Sequence, residues 1–97
     1  MLLYDALESL APSPIVALNR AVAVSMARGP AAALPLVDAL VESGDLAGSH
    51  LLPGVRGELL SRLGRADEAR AELENALRLC PSERERDVLR GKLDALA

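Results

Sequence analysis

The sequence predicts an all-α protein, an array of antiparallel helical hairpins built from about six helices. Three observations carry this. The hydrophobic fraction is 51%, yet Tyr4 is the single aromatic residue, so the apolar content is Ala, Leu and Val. Ala and Leu favour helix, whereas sheets draw on β-branched and aromatic residues. Apolar residues recur at helical spacing, and Pro or Gly interrupts them at short intervals.

The first helix is expected over residues 2–11, with Leu3, Leu7 and Leu10 on one stripe, stopped by Pro12. Ser13-Pro14 opens the second, Ser as N-cap and Pro at the first helical position. That helix, residues 14–28, is apolar nearly all round and is expected to be the most buried element. Gly29-Pro30 is a stop-and-restart signal, and a third helix follows over 30–42 with Leu36, Val37 and Leu40 inward. Pro35 demands a first-turn position or a kink. Residues 44–49 read as a loop, and the fourth helix, 50–63, has Pro53 and Gly54 near its first turn. Gly64 breaks the chain. The fifth helix, 66–80, has the cleanest stripe, Ala69, Leu73, Ala76, Leu77 and Cys80, with Glu74 and Arg78 spaced for an i,i+4 pair. Pro81 ends it. Ser82 and Glu85 form a capping box for the sixth helix, whose inner face is Val88, Leu89, Leu93 and Leu96. Short loops make consecutive helices antiparallel neighbours.

The chain has 97 residues, the size of one domain, and a net charge of −3. Residues 1–55 carry two Arg and five acids, and residues 56–97 carry nine basic and nine acidic residues, a pattern of salt-bridged helix faces. No basic surface for phosphate is evident, so direct binding of nucleic acid by these residues is not expected. The lone Cys80 excludes an intrachain disulfide and fits a cytoplasmic setting. No apolar run approaches the roughly 20 residues of a membrane span, and residues 1–5 lack the form of a signal peptide.

Residues 50–83 fit much of the roughly 34-residue helix–turn–helix pattern of the tetratricopeptide repeat. Gly57 and Leu60 take the small and large places on the first helix of the unit; Ala69, Leu73, Ala76 and Pro81 follow on the second. Gly57, Ala69 and Ala76 permit close helix approach, Leu73 fills the groove and Pro81 cannot continue the helix. Pro53 and Arg56 stand where the pattern has an aromatic and a Leu. Residues 18–40 resemble an earlier, degenerate copy, with Ala21, Ala32, Leu36 and Ala39 in comparable roles.

A narrower resemblance runs nearly the whole length. The segments Tyr4-Asp5-Ala6-Leu7, Ala11-Pro12-Ser13-Pro14-Ile15-Val16-Ala17-Leu18-Asn19-Arg20-Ala21-Val22-Ala23-Val24 and Gly29-Pro30-Ala31-Ala32 resemble the C-terminal region of one group of bacterial RNA polymerase sigma factors. These are extracytoplasmic-function sigma factors with a tetratricopeptide-like extension. His50-Leu51-Leu52 and residues 59–69 echo a later motif of that group, while Ser49 and Pro53-Gly54 depart from it. The resemblance implies an accessory domain whose DNA- and polymerase-binding regions would precede residue 1. Its partner would be a protein: the rest of the factor, the polymerase or a regulator.

No constellation for catalysis is legible, and no enzyme, cofactor or metal is expected. His50 has no second imidazole or thiolate nearby in sequence, and a metal needs several ligands. Ser49 and His50 with Asp45 lack a nucleophile elbow. The glycines form no phosphate loop, and Cys80 on an apolar stripe reads as an inert core thiol. Cys80-Pro81-Ser82-Glu83-Arg84 superficially resembles the entry to a promoter-reading helix, but no helix-turn-helix follows within these residues. Asn19 and Arg20 interrupt the most apolar helix. With Arg56 and Arg62 on the fourth helix they are the candidates to line a partner-binding groove, although Asn19 and Arg20 also suit a structural role. Two functions lead, an accessory domain of an extracytoplasmic-function sigma factor or a tetratricopeptide scaffold unrelated to transcription; a helical lid of an enzyme fragment is the third and weakest reading.

Overall fold

Helix boundaries follow the breakers closely. The computed structural model describes residues 13–96, which form five helices: α1 (Pro14–Arg28), α2 (Pro30–Ser43), α3 (Leu51–Arg62), α4 (Ala66–Leu79) and α5 (Glu83–Ala95). There is no strand among the described residues. The helix expected over 2–11, with Leu3, Leu7 and Leu10, lies outside them.

Local chemistry accounts for several of the boundaries. Ser13 Oγ accepts the Val16 N–H at 3.4 Å, and Pro14 begins α1 where no amide proton is needed. Gly29 (φ +91°) closes α1 through its N–H to Ser25 O and at once opens α2. The end of α3 is a Schellman motif: Arg65 N–H bonds Leu60 O, Gly64 N–H bonds Ser61 O, and Gly64 takes the left-handed conformation (φ +77°). Pro35 sits in the second turn of α2 on an exposed face, at the cost of one backbone hydrogen bond. Pro53 is the third residue of α3, within the turn whose amides have no intrahelical acceptor. Ser82 Oγ accepts the Glu85 N–H, but the capping box stops there: the Glu85 carboxylate turns to other partners.

Each helix packs on the next in chain order, and α1 also touches α3. The larger core holds Leu18 and Ala21 of α1, Val37 of α2, Leu60 of α3 and Ala69 of α4; Leu46 plugs it from the α2–α3 loop. A second cluster, Leu73, Ala76, Cys80 and Leu89, joins α4 to α5. Leu60, Leu73 and Val37 are the largest fully buried side chains. Burial of each contributes about 1.5–3 kcal/mol.

Several facings differ from expectation. On α2, Ala33, Leu34 and Val37 are buried, Leu40 packs at the margin, and Leu36 is exposed. The helix is apolar over a wide arc, and Ala33 and Val37, one turn apart, take the inner face. On α5, Leu89 is buried and Leu93 and Leu96 pack beside it, but Val88 is exposed. Nor is α1 the most buried element. It buries Leu18, Ala21 and Ser25, while Ile15, Val22 and Met26 are exposed, because its described neighbours cover one side only. Arg78 donates to Asn75 instead of pairing with Glu74.

Gly57 marks the tightest helix contact. A Cβ there would stand 2.9 Å from Leu73 Cγ and Cδ2 and 3.4 Å from Ala69 O. Leu73 is 1% exposed and has nowhere to retreat. Gly57→Ala would gain roughly 1 kcal/mol of helix propensity but overpack the contact by about 1–3 kcal/mol, so it should lower stability. Gly91, inside α5, has no such conflict, since a Cβ there would meet nothing within 4 Å. Gly91→Ala should raise stability by about 0.5–1 kcal/mol. Urea denaturation of the two variants checks the pair; Gly57→Ala more stable than the parent contradicts the close approach.

Candidate groove across the first, third and fifth helices

The helices α1, α3 and α5 enclose two adjoining hollows. The first, about 240 Å³, is lined by Val22, Ser25 and Met26 of α1, Gly54, Val55, Glu58, Leu59 and Arg62 of α3, and Lys92 of α5. The second, about 200 Å³, lies between His50, Leu51, Gly54 and Val55 on α3 and its N-cap, and Glu85, Val88 and Leu89 on α5. Gly54 and Val55 belong to both, so the hollows form one groove across the odd-numbered helices. Gly54 leaves its centre open, since nothing lies within 4 Å of where its Cβ would be.

The lining is apolar and available. Met26 is 80% exposed and Val88 55%; Val22 and Leu51 are also exposed. The hydroxyl of Ser25 is buried in the wall of the groove with no hydrogen-bond partner among the described residues. An unpaired hydroxyl has a free-energy cost that a visiting polar group would offset. Charged pairs lie along the groove. Glu58 meets Arg62 at 3.6 Å along α3 and Lys92 at 3.3 Å across on α5. Towards the start of α3, His50 Nε2 stands 2.9 Å from Glu85 Oε2, close enough for an ion pair but not lined up as a hydrogen bond.

The four groove candidates from the sequence do not converge. Arg62, half exposed, lines the groove. Arg56 does not: its guanidinium turns to α2 and α4, with Nε donating to Asp38 Oδ1 at 2.8 Å and Nη1 standing 3.6 Å from Glu72 Oε2. The Asp38 hydrogen bond is the main reason Arg56 holds its proton more tightly than an ordinary arginine. Arg56 therefore ties three helices. Asn19 is exposed, and Arg20 borders a separate hollow with Ala17, Leu36, Ala39 and Leu40 between α1 and α2. Neither interrupts the buried face of α1. Of the packing residues, Gly57, Leu60, Ala69, Leu73 and Ala76 are all buried between α3 and α4 or at the α4–α5 contact, and Pro81 follows the C-cap of α4.

Sequence reasoning missed two groupings. Val22, Met26, Gly54 and Val88 share the groove although they lie on three helices. His50, Cys80 and Glu85 converge at the junction of α3, α4 and α5, with one ligand-type atom of each within 4.8 Å of the others. The long separation of His50 from Cys80 along the chain hides that meeting in the sequence. Ser49 Oγ accepts the Leu51 N–H, so the imidazole of the N-cap residue His50 is not engaged as the cap.

No family model matches the chain, and no solved structure matches it. It is 51% identical over 96 residues to an uncharacterized protein of Rhizobium meliloti (strain 1021). The alignment takes in 99% of this chain and 22% of that protein, so the chain spans about a fifth of the length of its relative. Among the described residues, no helix is long and apolar enough to cross a membrane.

The Arg56 tie generates a stability prediction. Arg56→Ala should destabilise the fold by about 1 kcal/mol, since the side chain is largely buried while Asp38 is half exposed. Asp38→Ala should lose a similar amount, and the double variant less than the sum, in a thermal-denaturation cycle. Full additivity contradicts the tie.

Proposed function

We propose that this chain is a C-terminal accessory, regulatory domain of an extracytoplasmic-function sigma factor and contributes to the control of transcription initiation by binding protein. In this reading α1/α2 and α3/α4 are tetratricopeptide-like hairpins, α5 closes the stack, and the protein is cytoplasmic. The observation that carries it is the apolar groove across α1, α3 and α5, with Met26 and Val88 exposed on either side of Gly54. Hairpin stacks present such grooves to helices or extended segments held by a few anchored side chains. The resemblance of residues 12–24 to the extension of these sigma factors supports the biological setting. The segment bound would belong to the rest of the factor, to RNA polymerase or to a regulator. Its apolar anchors would fill the hollow over Gly54, and an acidic group would meet Arg62 and Lys92.

The alternative is a tetratricopeptide scaffold that uses the same groove outside transcription. Run-off transcription with a full-length factor carrying this chain, and its polymerase, separates the two. Gly54→Leu fills the groove, where a Cβ meets no other atom, and Met26→Asp places a charge in it; both should leave the helical circular-dichroism signal intact. Each should change transcript yield at least several-fold, as the loss of a hot-spot contact of about 1–2 kcal/mol does. If deletion of the domain leaves promoter binding, polymerase affinity and transcript yield unchanged, the regulatory reading fails and the scaffold reading takes its place.

A further inference from the structure

We propose that His50, Cys80 and Glu85 form a site for a divalent transition-metal ion, Zn²⁺ by the chemistry of its donors. The three residues come from three elements: the N-cap of α3, the C-cap of α4 and the first turn of α5. Glu85 Oε2 is central, 2.9 Å from His50 Nε2 and 3.7 Å from Cys80 Sγ, and all three donor atoms lie within 4.8 Å of one another. Around a tetrahedral zinc, with bonds of about 2.0–2.3 Å, neighbouring donor atoms stand roughly 3–4 Å apart. The cluster needs only small side-chain adjustments to reach that arrangement.

The polar groups here are incompletely satisfied without an ion. His50 Nε2 is fully buried and has no hydrogen-bond partner among the described residues, although a carboxylate oxygen lies beside it. Cys80 is 4% exposed, and its sulfur contacts are long, to Ser82 O at 3.6 Å and to Glu85 Oε2. A cation among the three would accept the imidazole lone pair, the thiolate and the carboxylate together. On binding, the Cys80 thiol loses its proton to solvent and the ion takes its place. Sulfur, imidazole and carboxylate donors together suit zinc better than magnesium or calcium, which prefer oxygen alone. The backbone around Cys80 is fixed by Arg86, whose Nη1 donates to Leu77 O at 2.8 Å and to Cys80 O at 3.3 Å. The groove borders the site at His50 and Glu85, leaving room for a water or a partner side chain as fourth ligand. An ion here would join α3, α4 and α5 at the edge of the groove.

The test uses the metal alone on the reduced 97-residue chain. Titration with Co²⁺ should give saturable 1:1 binding, a thiolate-to-metal charge-transfer band and the visible spectrum of a four-coordinate ion. Zn²⁺ should displace it, and calorimetry should give micromolar or tighter affinity. Cys80→Ser should abolish the charge-transfer band. Glu85→Gln, at a half-exposed side chain, should weaken binding at least about tenfold with the helical signal retained, a loss no smaller than that from removing an outer-shell partner. Absence of the band in the parent chain, binding weaker than millimolar, or equal affinity in the parent and Glu85→Gln overturns the proposal.

Discussion

The contact between α3 and α4 at Gly57 is the constraint on which the rest of the architecture depends. With no side chain at Gly57, the two helices approach until Leu73 occupies the space a Cβ would need, and Ala69 brings its backbone alongside. Leu60, Leu73, Ala69 and Ala76 are then almost wholly withdrawn from water. Small and large residues interdigitate here at the density of a protein interior, where even one extra methyl group is felt. This contact also links the two core clusters, since Ala69 belongs to the larger and Leu73 to the smaller.

Fixing α3 against α4 determines what each helix presents elsewhere. Arg56, one residue before Gly57, is carried to the side where Asp38 of α2 and Glu72 of α4 receive it. Gly54, Val55 and Glu58 line the hollows shared with α1 and α5. The same helix therefore supplies an ionic tie on one side and an apolar groove on the other. The Glu58–Lys92 ion pair and the close approach of His50 to Glu85 span α3 and α5 along the groove, while Met26 and Val88 stay exposed.

The five described helices and most of their ends were legible because their signals are local. Ser13-Pro14, Gly29-Pro30, Gly64 and Pro81-Ser82 act through backbone geometry and hydrogen bonds within a few residues. The facings of Leu36 and Val88 were not legible. Both lie on arcs where several apolar residues compete for the inner position, and the neighbouring helix decides which one is covered. Arg56 read as a groove residue because its acids, Asp38 and Glu72, lie far off along the chain on other helices. The meeting of His50, Cys80 and Glu85 has the same cause: two loop junctions brought together by packing, with no short spacing to betray them. Of the groove itself, Arg62 could be anticipated, but the opening over Gly54 exists only once α1 and α5 flank α3.

On the proposed reading, the face made by α1, α3 and α5 receives a protein segment. Methyl-selective NMR on this chain, titrated with the sigma-factor regions proposed as its partner, is the decisive measurement. Shifts should concentrate at Met26, Val22, Val55 and Val88, with Leu36, Leu40 and Ala39 on the α1–α2 side unmoved. Shifts confined to Leu36, Leu40 and Ala39, or none at saturating partner, would contradict it.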